Sequence, residues 1–226
     1  MRPSIVVAWV GLAACHTSPS GEATSLSPPP RPAAAVDTGA GAASPMHSQA
    51  CPAGTRAATG TWAYDEGNTT APVAWCELPD RTKHGPSISR YADGKVAEHA
   101  TYDHGVLDGT WSHFYPTGEL AEQGTYARGA RQGKWRKFWG GGDALESEDV
   151  LDHDKLVSAS SYFPNGKLEM KGAFVDGAMD GEWSWFRDDG SPHKTIVYAR
   201  GHAVAAWRYR NGRKESVPID EIDLEP

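Results

Sequence analysis

The sequence predicts an all-β protein: an elongated single-layer antiparallel sheet of hairpin repeats, with a disulfide-pinned β cap at its N-terminal side. Three observations lead there. Glycines at 94, 118, 142, 166 and 190 stand 24 residues apart, and Gly85, Gly109, Gly133 and Gly181 keep the same step, with Val157 in the slot between. Aromatic residues share the period: Trp111, Trp135, Trp183 and Trp207 with Ala159 in the vacant slot, and Tyr102, Tyr126, Phe174 and Tyr198 with Val150. Leu, Ile and Val are scarce while Trp, Tyr and Gly are plentiful, the balance of a thin sheet packed by aromatics. Several registers sharing one period mark a repeat array, in which each unit buries its apolar face on its neighbours.

The elements follow in chain order. Arg2, an apolar run from Ile5 to Leu12 and the small pair Ala13-Ala14 make residues 1–14 a secretory signal. Cys15, directly after that pair, resembles the bacterial lipoprotein signal, whose cysteine is acylated and becomes the mature N-terminus. An ordinary signal peptide and a misassigned start are the alternatives. The resemblance implies membrane attachment through a lipid on Cys15, and His16 after it points to the outer membrane by the sorting rule of enteric bacteria. The apolar run is too short to cross a bilayer as a helix.

Residues 15–50 are rich in Ser, Pro, Ala, Gly and Thr and have no hydrophobic period. They read as a disordered tether with a root-mean-square span of about 30 Å. Residues 51–84 form the cap, with strands over Thr59–Tyr64 and Val73–Leu78. Export leaves Cys51 and Cys76 as an even pair in an oxidising compartment. A bridge between them would stabilise by roughly 3–4 kcal/mol; two buried free thiols are the alternative.

Residues 85–212 hold five repeats, each of two strands and two turns. Trp111–Tyr115 ends at the turn Pro116-Thr117-Gly118, Leu120–Tyr126 alternates, and Ala127-Arg128-Gly129 turns the chain back. Parity places Trp111, His113 and Tyr115 on one face and Ser112 and Phe114 on the other. The third unit is degenerate. It lacks its expected glycines and crowds Asp143, Glu146, Glu148, Asp149, Asp152 and Asp154 together. That segment reads as a solvated acidic edge. A divalent-cation site at Asp152 and Asp154 is the alternative, although the glycine and the terminal glutamate of a Ca²⁺ loop are missing. No metal or cofactor is expected. The tail, 213–226, is acidic, carries two prolines and is expected to pack loosely or not at all.

The unit Tyr/Phe-x-x-Gly followed by Gly-x-Tyr/Phe-x-x-Gly-x-x-x-Gly-x-Trp-x-x-Phe/Tyr resembles the bacterial variant of the MORN repeat. Phe163-Pro164-Asn165-Gly166-Lys167-Leu168 with Phe174, Gly177, Gly181, Trp183 and Phe186 matches it best. Tyr91 and Tyr115 open their units as Phe163 does, Trp139 takes that place in another, and Arg187 breaks the pattern. The resemblance implies hairpins laid side by side and a scaffold or binding role rather than catalysis. Some bacterial members carry an antitoxin label.

Composition narrows the function further. The nine histidines form no His-x-x-x-His pair, and no Gly-x-Ser-x-Gly or phosphate loop occurs. A net charge of -7 without a basic patch argues against nucleic acid and opposes anionic lipid headgroups. The sequence therefore reads as a membrane-anchored, non-catalytic module that binds or scaffolds a protein partner; the alternative is an antitoxin that neutralises a toxin at the cell envelope. A periodic sheet repeats its surface, so specificity is expected where the period breaks: at Trp185, whose column otherwise reads His113, Lys137, Ser161 and Tyr209, and in the acidic segment from Asp143 to Asp154.

Overall fold

The computed structural model describes residues 50–64 and 69–222. The expected signal at 1–14, the expected acylation site Cys15 and residues 16–49 of the expected tether lie outside the described residues. Among the described residues, fourteen strands stand side by side in chain order in one antiparallel sheet. They are β1 (Arg56–Tyr64), β2 (Thr69–Glu77), β3 (Lys83–Arg90), β4 (Val96–Asp103), β5 (Val106–Phe114), β6 (Leu120–Ala127) and β7 (Ala130–Phe138). After them come β8 (Leu145–Asp152), β9 (Lys155–Tyr162), β10 (Leu168–Val175), β11 (Ala178–Phe186), β12 (Pro192–Ala199), β13 (His202–Arg210) and β14 (Arg213–Val217). Neighbouring strands stand about 4.8 Å apart, which makes the sheet roughly 60 Å across along its ladder.

Turn chemistry explains the glycine columns. At one end of the strands the chain reverses through the residue pairs His104-Gly105, Arg128-Gly129, His153-Asp154, Asp176-Gly177 and Arg200-Gly201. Both residues of every pair have positive φ. These are type I′ hairpin turns, whose twist matches that of the strands they join. At the other end Tyr91–Lys95, Tyr115–Glu119, Phe163–Lys167 and Arg187–Ser191 each close with a backbone bond from first residue to last. Asp93, Asn165 and Asp189 each accept from the backbone N–H two residues on, which holds the turn.

A third glycine column makes bulges. In β5, Trp111 stands opposite Ala100 but Leu107 stands opposite Tyr102, so extra residues are taken up around Gly109, which has φ 109°. Val157 and Ala205 replace that glycine in β9 and β13, and there the register shift shrinks: Ser158 faces Val150 while Leu156 faces Leu151.

The third unit is displaced rather than broken. The turn from Trp139 to Ala144 holds one residue more than that from Tyr115 to Glu119. Gly141, not Gly142, takes the positive φ. Leu151, not Val150, then pairs with Gly133 as Tyr126 pairs with Gly109, and it is 5% exposed. Strand β9 has eight residues where β7 has nine, which restores the frame by Tyr162.

Units are also stitched laterally. Tyr91 and Tyr115 donate from their hydroxyls to the carbonyls of Phe114 and Phe138. Trp139 Nε1 does the same to Tyr162, and Arg187, which breaks the sequence pattern, keeps the bond by donating to the carbonyl of Tyr209.

On one face a row of partners runs Trp75, Ser87, Ala100, Trp111 and Gly124. It continues as Trp135, Asp149, Ala159 and Gly172, then as Trp183, Ile196, Ala206 and Val217. The rings of Trp135 and Trp183 lie on glycines of the preceding strand, whereas Trp111 faces Ala100. A Cβ added at Gly124 would stand 2.3 Å from the Trp135 ring, and one at Gly172 would stand 2.0 Å from that of Trp183. The third unit changes both members at once, to Asp149 and Ala159, so no ring stands opposite Asp149 there. Trp111 stacks on Trp135 at 5.4 Å, and Tyr126 and Phe174 meet Trp135 and Trp183 edge-on at 5.1 and 5.0 Å.

The ends of the sheet differ from the expectation in one respect. The bridge Cys51–Cys76 is formed, and Arg56 reinforces the cap with a 2.7 Å ion pair to the buried Glu77. The tail, expected to pack loosely, instead supplies β14, a 3-10 turn over Ile219–Glu221, and Ile222, which is 6% exposed in a core cluster with Trp183 and Ile196. Tyr209 stays within β13, because the chain turns at Asn211-Gly212 into β14 rather than through a Tyr115-type turn.

Candidate interaction surface

Trp185 was expected as a candidate partner-binding residue, and its ring is buried rather than exposed. The ring is 5% exposed and packs in a cluster with Trp183, Ile196, Tyr198, Ala206 and Ile222. Trp183 lies 6.1 Å away, and the ammonium of Lys194, directly opposite on β12, sits 4.8 Å from the ring. The aromatic there answers to the C-terminal segment, with Val217 and Ile219 packed against the same cluster. No repeat rule could call for it, because that segment lies outside the repeats.

The acidic segment does not form one site either. Alternation along β8 and the turns at its ends scatter it. Asp143 is exposed in the turn before β8. Glu146 pairs with Lys137 at 3.2 Å, while Glu148 holds both Lys134 and Arg136 at 2.8 Å. The two residues of the alternative cation site are engaged by protein partners: Asp152 meets His153 at 2.7 Å and Asp154 meets Arg131 at 3.0 Å. Hydrogen bonds from these neighbours hold Asp152, Asp154 and Glu148 below the ordinary carboxylate range.

Asp149 behaves in the opposite way. It points to the tryptophan face between Trp135 and Ala159, and burial pushes its carboxyl above the usual range, with Arg131 partly offsetting the shift. Glu122, on the same face opposite Lys137, is pushed up by burial too. Both acids therefore belong to a packed face rather than to a solvated edge.

The reverse face carries a different surface. Partners across it run His99, Ser112, Gln123, Arg136, Glu148, Ser160, Lys171 and Ser184, a row of hydrogen-bonding side chains. Over β5–β7 this face sinks into a groove of about 240 Å³ lined by Thr110, Ser112, Gln123, Thr125, Lys134 and Arg136, with Trp111 and Gly124 between them in their strands. Glu148 is the only one of the expected site residues that borders this cationic rim, through its two ion pairs. The groove residues were missed in the sequence. The available signal was parity: in β5–β7 the positions between the aromatic column and its neighbours are small hydroxyls, an amide and two cations.

Three stretches of the chain, 83–104, 107–127 and 158–176, match the family model described as the MORN repeat variant. They fall on β3–β4, β5–β6 and β9–β10 with their turns. Repeats of this kind are in general modules that bind proteins or membranes. A comparison with curated proteins gives no match.

Proposed function

We propose that this chain is a non-catalytic binding module that holds a protein partner on the hydrogen-bonding face of β5–β8 and is tethered to a membrane through a lipid on Cys15. One observation carries the first half. The groove presents hydroxyls, an amide and two cations beside strands whose backbone groups are already paired on both sides, so recognition falls to side chains. Its 240 Å³ is below the roughly 300–1,000 Å³ of small-molecule sites, and it suits the side chains of a docked protein better than a whole ligand. Lys134 and Arg136 share the single carboxylate of Glu148, which leaves the rim one positive charge in excess. That excess favours a partner that presents an acidic side chain.

The lipid anchor rests on the order Leu12-Ala13-Ala14-Cys15. Capture from envelope extract tests both halves. The full chain is expected to retain a partner that Arg136→Glu loses while melting normally, and Cys15→Ser is expected to leave the membrane fraction. Equal capture by Arg136→Glu sinks the groove as the contact surface, and normal membrane retention of Cys15→Ser sinks the anchor. Recovery of a secreted toxin as the captured partner would turn the scaffold reading into one of neutralisation.

A further inference from the structure

We infer that His84, Asp103 and His104 form a surface site for a divalent transition metal. The inference begins with what the repeat asks of position 84. At three other I′ turns a side chain near the start of an earlier strand accepts a hydrogen bond from the turn's first N–H. Asp108 accepts from Arg128 at 3.1 Å, Gln132 from His153 at 3.0 Å and Asp180 from Arg200 at 3.0 Å. His84 stands in the same column, and its Nδ1 accepts from His104 at only 3.4 Å. An amide or a carboxylate does that work at shorter range, so the fold does not explain an imidazole there.

The neighbours do explain it. Asp103 Oδ1 lies 2.7 Å from His104 Nδ1 and 3.2 Å from His84 Nδ1, and the two rings meet edge-on at 4.9 Å. One ligand atom from each of the three residues lies within 4.8 Å of the others. A tetrahedral Zn²⁺ with bonds of about 2.0–2.1 Å needs its ligand atoms roughly 3.3–3.5 Å apart. Reaching that takes small side-chain rotations, and Asp103 and His104 are 59% and 70% exposed in their side chains, so they are free to make them. The backbone is fixed on both sides, by the β3–β4 ladder under His84 and by the I′ turn that holds His104 at φ 46°. Two imidazoles and one carboxylate suit Zn²⁺, Ni²⁺ or Cu²⁺ rather than Ca²⁺ or Mg²⁺, and three protein ligands leave a position for water.

The protein also contains its own control. At the turn after β8, Asp152 and His153 repeat the 2.7 Å pair, but the third position is Gln132. That turn has the same backbone and lacks one imidazole. The experiment uses the full chain without an affinity tag, titrated with Zn²⁺ against a chromophoric chelator, with Co²⁺ absorption as a second reading of coordination. One equivalent is expected to bind. His84→Gln, which copies the natural turn at Gln132, is expected to weaken it at least about tenfold, since even outer-shell changes lose 10–100-fold. His104→Asn should do the same and keep its turn, because Asn tolerates positive φ. Gln132→His should raise the uptake to two equivalents. Absence of saturable uptake, or uptake by His84→Gln and His104→Asn equal to that of the parent chain, overturns the inference.

Discussion

Replacing Gly172 by Ala adds one methyl group in the middle of β10. In most strands this would help, because glycine weakens a strand by about 0.5–1 kcal/mol relative to Ala. Here the new Cβ would stand 2.0 Å from Cδ2 and 2.2 Å from Cε2 of Trp183, where ordinary contact begins at 3.4 Å. The indole ring is rigid and 2% exposed, so it must retreat by about 1.4 Å into neighbours that have no space to give. Overpacking of that kind costs about 1–3 kcal/mol. Displacing the ring also breaks the 3.0 Å bond from Trp183 Nε1 to the carbonyl of Ala173, worth about 1 kcal/mol. The expected loss is therefore about 2–4 kcal/mol, with the melting temperature falling roughly 2–4 °C for each kcal/mol. Trp183→Ala alone should cost about 3–5 kcal/mol. With the ring gone, Gly172→Ala has nothing to strike and should be neutral or slightly stabilising. Thermal unfolding followed by circular dichroism on the two single variants and the double variant closes the cycle. If Gly172→Ala costs the same with and without Trp183, the pairing of glycine with ring is wrong.

Three more expectations follow from the packing and the charges. Trp185→Ala should melt nearly as early as Trp183→Ala, at about 3–5 kcal/mol, since both rings sit in one cluster; a fold left intact would return Trp185 to the surface. Reducing Cys51–Cys76, which closes a separation of 25 residues, should lower stability by roughly 3–4 kcal/mol, read as the shift in melting temperature with and without reductant. Burial raises the carboxyl of Asp149, so its contribution to stability is fully present below about pH 4 and is lost as pH rises through its folded value. Asp149→Asn should accordingly melt higher than the parent chain at pH 7 and lose that advantage near pH 4; a constant difference across that range refutes the assignment.

Much of the fold was legible because its turns need particular residues. The pairs Arg128-Gly129 and Asp176-Gly177 repeat at the period, and their positive φ values are what glycine in the second place serves. The disulfide was legible for a simpler reason, since two cysteines remained for one bridge. The slip in the third unit was not legible. An insertion near Gly141 and a deletion in β9 cancel within one period, so counting residues from either side gave an unbroken frame. The tail misled for a different reason: its acidic composition hid Val217, Ile219 and Ile222, whose burial depends on rings that the chain meets only after folding. The same segment packs on the cluster in which Trp185 is buried, so the aromatic expected as a candidate binding residue is part of the core. The groove was hidden because it belongs to three strands at once, and Ser112, Gln123 and Arg136 become neighbours only through the ladder.

The face used for binding can be read by placing one photo-crosslinking amino acid at either of two adjacent positions. Gln123 lines the groove, and Glu122, the residue before it in β6, belongs to the tryptophan face. Both substitutions are made in the full chain, which is irradiated in cells and then denatured so that only covalent adducts survive. A binding module that uses the hydrogen-bonding face gives a discrete protein adduct from position 123 and none from 122. An adduct from 122 with none from 123 would place the partner on the opposite face and contradict the proposed function.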